Sequence, residues 1–235
     1  MKRLLSTLSQ KWPEYLLEIL VITIGILGAF ALNSWQANKS ERNAQKITLE
    51  RLKENVTSDL RRYDFLKKEY EDRISRCDSI LSLLKTQKTV EDRVGIISVH
   101  AINFYLIEAN TTTYLEMTNT GRLYTLPDKD LRENITKYYR DVNKWSRYTE
   151  NSNAQLRGMM ILPENNDYWL IQQTRWSDTE IDTRKFPWLK NKYSKELNQI
   201  ESLILRARKN YGSSLGTANY LQRRANNLLE DLDEK

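Results

Sequence analysis

Residues 15–35 read YLLEILVITIGILGAFALNSW, an apolar stretch long enough to decide the class of this protein. A helix rises about 1.5 Å per residue, so roughly 20 apolar residues cross the hydrocarbon layer of a bilayer. Trp12 and Trp35 bracket the stretch, as aromatic side chains do at membrane interfaces. A charged helical pattern follows, instead of the small-residue cleavage site of a signal peptide. The sequence therefore predicts one uncleaved transmembrane helix, a signal anchor. A core helix of a soluble domain is the alternative, although no other segment offers enough apolar surface to enclose it.

The basic residues around this helix predict its orientation. Lys2, Arg3, Lys11 and the amino terminus precede it, while Lys39, Arg42 and Lys46 follow it, an excess of one positive charge on the N-terminal side. Positive charge favours the cytoplasmic side, and long trailing domains cross the membrane largely regardless of their charge. We expect a protein of the inner (cytoplasmic) membrane, with an amphipathic segment at residues 1–14 in the cytoplasm and the large domain in the periplasm.

One face of the predicted transmembrane helix carries small and polar residues. Positions three or four residues apart share a helical face, and the set here is Glu18, Ile22, Gly25, Ala29 and Asn33. Small residues four apart allow a second helix to approach closely, and the carboxyl and amide groups can hydrogen-bond across the contact. We predict an oligomerisation face. An interfacial glutamate without a role and an ion- or proton-conducting face remain alternatives, because Glu18 lies about one turn from the membrane boundary.

The composition favours an all-α protein without ordinary catalytic chemistry. The 235 residues include only 7 Gly and 4 Pro, too few for the frequent turns of an all-β domain. One Cys and one His exclude an internal disulfide and the usual zinc sites. No phosphate-binding glycine loop or nucleophile motif occurs. We expect no enzyme activity, no metal and no cofactor, although carboxylate chemistry stays open because acidic residues are abundant.

The charged residues predict a solvated surface. The chain has 37 basic and 31 acidic residues, and its net charge is +6. The two signs are interspersed along the sequence, whereas a nucleic-acid-binding chain concentrates its basic residues. We therefore expect no nucleic-acid partner, and no small-molecule substrate is evident.

The region after the membrane helix predicts a long helix that ends near residue 88. Strong helix formers predominate over 36–88, and apolar residues recur every 3.5 residues on average. These positions are Leu49, Leu52, Val56, Leu60, Tyr63, Leu66, Tyr70, Ile74, Cys77, Leu81 and Leu84. We predict a stalk at 36–88 that packs against later helices in an elongated bundle, with a helical domain at 89–235. A self-associating coiled coil is the alternative.

Three later segments are also predicted to be helical. Residues 90–108 are apolar enough for a core helix, in which we interpret His100 as a packed side chain because no companion His or Cys exists for catalysis. The sequence Thr125-Leu126-Pro127-Asp128 offers capping chemistry for a helix that reaches Met159 or Met160. From Lys192 to the C-terminus, the apolar spacing predicts one long or broken helix.

The most loop-like segment, residues 162–189, concentrates aromatic side chains. They are Tyr168, Trp169, Trp176, Phe186 and Trp188. Aromatic residues fill the end of a helical bundle well, and they also dominate partner interfaces and membrane contacts. We therefore expect these side chains to pack at the end of the bundle, and we keep the set as a candidate partner-binding or membrane-touching surface, which is the alternative.

Two groups of motifs resemble those of an uncharacterised family of single-pass membrane proteins that is widespread in Gram-negative bacteria. In the membrane segment they are Glu18-Ile19-Leu20, Gly25-Ile26-Leu27 and Asn33-Ser34-Trp35. In the following domain they are Tyr114, Gly121, Leu123, Asp128, Leu131, Arg132, Tyr138 and Tyr139. Ala31 and Leu32 depart from the family pattern, in which a polar residue precedes the asparagine. The resemblance covers nearly the whole chain and implies membrane attachment and a helical domain, without an assigned activity or site residue.

Together these features predict a membrane-anchored interaction or scaffold protein. Its expected partners are the lipid bilayer and either further copies of the chain or another membrane protein. The alternative is a sensor or ion-conducting channel subunit in which the Glu18 face of the transmembrane helix carries the function.

Overall fold

The computed structural model describes residues 2–87, 89–98, 102–174 and 181–234, without the side chains of residues 2–11, 14 and 174. His100 and Trp176 lie outside the described residues. The chain divides into two compact units, Met1–Glu50 and Arg51–Lys235. The first unit is described by one helical segment, and the second contains a bundle.

The described residues form an all-α protein, as predicted, and no β-strand occurs within these ranges. The helices are α1 (Lys2–Thr86), α2 (Val90–Ser98), α3 (Thr112–Asn119), α4 (Arg122–Thr125), α5 (Lys129–Met160), α6 (Asn166–Thr174) and α7 (Lys195–Asp233). Short 3₁₀ turns lie at Pro163–Asn165, Thr183–Lys185 and Pro187–Lys190. The fold class inferred from the scarcity of Gly and Pro is thus confirmed.

The second unit is built on three long helices: residues 51–86 of α1, α5 and α7. Polar pairs fix α7 antiparallel to α1, since the number of the α7 partner falls steadily as the α1 number rises. These pairs are Lys53 with Asp233, Lys67 with Gln222, Asp78 with Arg208 and Lys85 with Glu201. Pairs of α5 with α7 follow the same antiparallel order, namely Asn134 with Asp231, Asp141 with Tyr220 and Asn153 with Asn210.

The buried stripe of α1 in this unit alternates strictly by four and three residues. Its buried members are Leu52, Val56, Asp59, Tyr63, Leu66, Tyr70, Cys77, Ile80 and Leu84, and the partly buried Arg73 holds the position between Tyr70 and Cys77. The apolar pattern had indicated Ile74 there, and this residue is also only partly buried. The apolar pattern had indicated Leu60 and Leu81, but these two are only partly buried, and Asp59 and Ile80 take the core positions. Cys77 is a buried small residue, as interpreted, and burial raises the pKa of its thiol to about 11.

Local sequence signals position α4 and α5. Gly121 precedes α4 with φ of 76°, a left-handed conformation that glycine adopts without a steric penalty. Asp128 then caps α5, because its side chain accepts a hydrogen bond of 2.9 Å from the backbone N–H of Leu131. The predicted start and end of this helix are both confirmed, since α5 ends at Met160.

The prediction of one core helix over 90–108 is wrong. Helix α2 ends at Ser98, and residues 102–111 form no regular secondary structure. Ile102 and Ile107 from this segment are nevertheless buried. The segment, hereafter the linker segment, therefore contributes to the core as a non-helical chain, and its backbone polar groups need partners from the surrounding helices.

Candidate functional site

The apolar stretch of α1 is the most exposed apolar surface in the first unit. Its large side chains are all open to their surroundings; Leu17 and Phe30, for example, are each 66% exposed. Among the described residues, one helical segment is long and apolar enough to cross a membrane, by length and composition alone; it is the part of α1 from Tyr15 onward. A water-soluble surface rarely keeps so large an apolar area uncovered. This stretch is therefore a candidate membrane-binding element.

The predicted packing face lies within this exposed stretch. Glu18, Ile22, Gly25, Ala29 and Asn33 all lie exposed on α1. A Cβ atom built on Gly25 meets no atom within 4 Å, so the described structure leaves room beside it. No described contact covers this face, and its role in oligomerisation stays a prediction.

The predicted aromatic surface is largely internal. Tyr168 and Phe186 are buried, which contradicts their assignment to an exposed partner surface. Trp188 is half-buried, donates a hydrogen bond of 2.7 Å to the Asp167 carboxylate and meets the edge of Phe186. Only Trp169, 46% exposed, presents a large part of its side chain among the described members of the set. Packing at the end of the bundle, the favoured interpretation, accounts for Tyr168, Phe186 and Trp188.

The sequence analysis missed a polar cluster around Asp59. This residue is only 3% exposed. Its two carboxylate oxygens accept hydrogen bonds from the backbone N–H of Asn110, at 2.7 Å, and from the Tyr138 hydroxyl, at 2.8 Å. The Tyr138 hydroxyl also lies 3.2 Å from that of Tyr63, and Tyr139 donates to the Asn110 carbonyl at 3.2 Å. One carboxylate thus joins α1, the linker segment and α5.

The Asp59 carboxylate is buried without a compensating cation. No described Lys or Arg side chain forms an ion pair with it. Desolvation raises the pKa of Asp59 from 3.8 to about 6, although the hydrogen bonds from Asn110 and Tyr138 oppose the rise. Burial also raises the pKa of Tyr138 and Tyr63, so both phenols stay protonated and can donate. The cluster is a network of neutral donors around one titratable group.

A second group of side chains holds the other end of the linker segment. The Tyr211 hydroxyl accepts a hydrogen bond of 2.7 Å from the Asn103 backbone N–H and donates one of 2.8 Å to the Asn103 carbonyl. The Asn153 amide donates to the Tyr105 carbonyl at 2.9 Å, and Tyr105 itself donates to Glu69. These contacts satisfy the backbone groups that a helix would have satisfied internally.

None of this geometry assembles a metal site or an obvious catalytic centre in the described part of the chain. No group of three or more His, Cys, Asp or Glu side chains that could hold a metal ion occurs among the described residues. Asp59 and Tyr138 are closed off from solvent, so they have no route to a substrate. The Asp59 cluster can stabilise the bundle and can gain or lose a proton at Asp59. A partner can bind only at the exposed surfaces.

The chain matches a protein-family model. A family model described as a family of unknown function, DUF6090, matches residues 18–156, more than half of the chain. The chain belongs to the DUF6090 family. The resemblance noted from the motifs is thus confirmed as far as a family of unknown function over residues 18–156, whereas its Gram-negative distribution and single-pass attachment stay predictions.

The DUF6090 match includes all three elements that the Asp59 cluster joins. Two of the residues that carried the resemblance, Tyr138 and Tyr139, lie in that cluster, and Tyr114 stacks on Tyr139 with ring centroids 4.3 Å apart. Helix α7 lies beyond the matched range, although it completes the bundle. No curated protein and no solved structure matches the chain.

One sequence signal could have revealed Asp59. A strict alternation by four and three residues from Leu52 to Leu66 passes through position 59, whereas position 60 would require two steps of four followed by two steps of three. We selected Leu60 because its side chain is apolar. Regular spacing predicts the buried position more accurately here than side-chain polarity does, because the charged Asp59 lies in the core.

Proposed function

We propose that this DUF6090 protein is a membrane-anchored helical interaction or scaffold protein without catalytic activity. The exposed apolar stretch at residues 15–35 carries the proposal. It has the length and composition of a transmembrane helix, and none of it is buried within the described structure. The helical bundle of the second unit then supplies surfaces for partners. The positive-charge bias favours an inner-membrane protein with its N-terminus in the cytoplasm.

The test of anchoring is extraction of cell membranes with alkaline carbonate. We expect the full chain to stay in the pellet. Changing Ile24 and Leu27 to lysine places two charges near the bilayer centre, which costs about 2.5–3.5 kcal/mol per residue and should move most of the chain to the soluble fraction. The matched control changes Ile47 and Leu83 of the same helix, both exposed and outside the apolar stretch, to lysine.

Two results would contradict anchoring. One is release of the unmodified chain by carbonate. The other is a mature chain that lacks its first residues by intact mass, because a signal sequence near the N-terminus meets the same criteria of length and composition as this stretch.

We propose further that the small-residue face assembles the protein with itself or with a membrane partner. Gly25→Ile together with Ala29→Ile fills the space that a second helix would use, so crosslinked oligomers should decrease at least tenfold. Ala31→Ile, two residues after Ala29 and on the opposite side of the helix, is the control.

The sensor or channel alternative differs in the role of Glu18. Glu18→Gln keeps the shape and hydrogen-bonding capacity of the side chain but removes its charge. Unchanged assembly with altered ion flux across vesicles favours conduction, whereas lost assembly without measurable flux favours packing.

A further inference from the structure

A shallow groove lies between α4 and the first three turns of α5. Its volume is about 460 Å³. The lining residues are Leu123, Tyr124, Lys129, Arg132, Glu133, Thr136, Lys137 and Arg140. Those from α5 recur on successive turns of the helix, three or four residues from one turn to the next, so they form one solvent-facing stripe. Four of them carry a positive charge and one a negative charge. We call this feature the α4–α5 groove.

Most of the positive charge in the α4–α5 groove is not neutralised. Glu133 lies 3.7 Å from Lys129, the cation four residues before it. Arg132 donates a hydrogen bond of 2.8 Å to the Tyr124 carbonyl, which holds its guanidinium at the groove but supplies no opposite charge. Lys137 and Arg140 are exposed and form no ion pair with any described side chain. A concave surface of one charge sign concentrates anions.

The chemistry of the lining fits a phosphate group beside an apolar boundary. Arginine and lysine donate charge-assisted hydrogen bonds to phosphate oxygens. Tyr124, 70% exposed, adds an aromatic ring with a polar end, the kind of side chain that is enriched where lipid headgroups meet acyl chains. An acidic peptide would use the same cations but gains less from this ring.

The groove lies at the end of the bundle where the chain enters it. Near the start of α5, Asn134 contacts Asp231 of α7, and the neighbouring Asp233 pairs with Lys53, two residues after the second unit begins. Residues 36–50 link that point to the apolar stretch. Fully extended, 15 residues reach at most about 50 Å, which is the upper limit on the length of chain between the apolar stretch and the second unit.

We propose that the α4–α5 groove binds the phosphate of anionic phospholipid headgroups, with Arg132, Lys137 and Arg140 as the ligating side chains. This inference rests on the proposed membrane anchoring. It adds a lipid preference that anchoring by an apolar helix does not require, because the helix alone does not distinguish phosphatidylglycerol from phosphatidylcholine.

The test uses the full chain in a neutral detergent and counts the lipids that it retains, by mass spectrometry of the intact complex. We expect retention of phosphatidylglycerol over phosphatidylcholine. Lys137→Gln with Arg140→Gln should weaken phosphatidylglycerol binding about 30-fold, because each basic residue near an anionic lipid surface raises the affinity roughly fivefold. Hydrogen exchange over residues 122–140 should slow with phosphatidylglycerol in the unmodified chain only.

A matched control removes the same charge elsewhere. Lys195 and Arg206 are exposed residues of α7 that line a separate groove at the opposite end of the bundle. Lys195→Gln with Arg206→Gln should leave phosphatidylglycerol retention unchanged. Circular dichroism of both double variants should match that of the unmodified chain, because none of the four residues is buried.

Several outcomes overturn the proposal. They are equal retention of the two lipids, unchanged binding in the Lys137/Arg140 variant, and an equal loss in the control, which would indicate a general charge effect. Competition by inorganic phosphate at equal affinity would assign the groove to small anions. Tighter binding of a single-stranded oligonucleotide would assign it to nucleic acid. A carbonate-resistant chain without lipid preference refutes only the groove, whereas carbonate release refutes the anchor.

Discussion

Two stretches of helix α1 are equally helical and carry large apolar side chains in opposite environments. In residues 15–35 these side chains are exposed, whereas in residues 52–84 a stripe of them is buried against the other helices of the second unit. The first stretch carries large apolar residues on every side except the small and polar face that includes Glu18 and Asn33, whereas the second restricts apolar residues to one side and carries charges on the others. The distribution of apolar residues around a helix, and not only their number, therefore indicates whether the helix faces lipid or packs against protein on one side.

The polar residues of the two stretches sharpen the contrast. Glu18 stands within the exposed apolar stretch, where the described structure gives it no partner helix. Asp59 lies within the buried stripe, where its carboxylate accepts hydrogen bonds from the Asn110 N–H and the Tyr138 hydroxyl. A carboxylate can thus occupy a core position when the surrounding chain supplies donors, although desolvation still penalises its ionised form.

The largest expected effect comes from truncating the same residue type in each stretch. Leu66 is fully buried and Leu20 is 57% exposed. Leu66→Ala leaves a cavity and should lower the free energy of unfolding of the second unit by about 2–5 kcal/mol. Leu20→Ala should leave that free energy unchanged. Urea denaturation of the full chain in neutral detergent, followed by circular dichroism, measures both.

The contrast between the two stretches fails if both substitutions lower the free energy of unfolding by the same amount. Equal destabilisation by Leu66→Ala and Leu20→Ala would mean that residues 15–35 also pack against protein in the purified chain.

The next effect concerns the charge of Asp59. Its pKa is about 6 in the folded chain against 3.8 for an unperturbed aspartate, so the folded state holds the proton more tightly. The contribution of this group to stability is therefore complete below about pH 4 and is lost as the pH rises through 6. A shift of this size corresponds to on the order of 3 kcal/mol. Asp59→Asn should abolish this part of the pH dependence.

Asparagine is the suitable replacement because it resembles the protonated acid. Its carbonyl can accept from the Asn110 N–H, and its amide can donate to Tyr138, which then donates to Tyr63. We expect Asp59→Asn to match the unmodified chain in urea midpoint at pH 4 and to exceed it at pH 7.5. A variant that is less stable at pH 7.5, with the original pH slope intact, would show that the ionised carboxylate stabilises the fold.

A smaller effect is expected at the linker segment. Tyr211→Phe removes the hydroxyl that serves both the N–H and the carbonyl of Asn103, and an unsatisfied buried polar group costs about 1–3 kcal/mol. Hydrogen exchange at the Asn103 amide should accelerate accordingly. Tyr193→Phe, at an exposed tyrosine, is the control and should change neither quantity. Unaltered exchange in Tyr211→Phe would mean that other contacts hold this segment.

Local signals were sufficient for several elements. Asp128 identified the start of α5, and the apolar spacing after Lys192 identified α7, which proved unbroken. The 3.5-residue period correctly indicated which helix would pack, although it placed Leu60 and Leu81 where the structure has Asp59 and Ile80. Each success depended on interactions between residues close in sequence, which a single sequence displays directly.

The linker segment shows why other features were beyond the sequence. Its apolar residues suggested a helix, yet its backbone groups bond to Asp59, Tyr139, Asn153 and Tyr211, which are distant in sequence. The candidate sites divide in the same way. The exposed face at Glu18, whose packing role stays a prediction, follows from spacing. Aromatic content alone left packing and a partner surface open for Tyr168 and Phe186, and only their burial decides against the surface.

The sequence by itself determined the helical class, the apolar stretch at residues 15–35 and the ends of α5, because length, periodicity and capping are properties of neighbouring residues. Only the tertiary structure decided that Asp59 lies in the core, that residues 102–111 are not helical and that Lys137 and Arg140 line the α4–α5 groove without an ion pair to any described side chain. Those features depend on which donors, acceptors and charges from separate parts of the chain come together, and folding alone sets that.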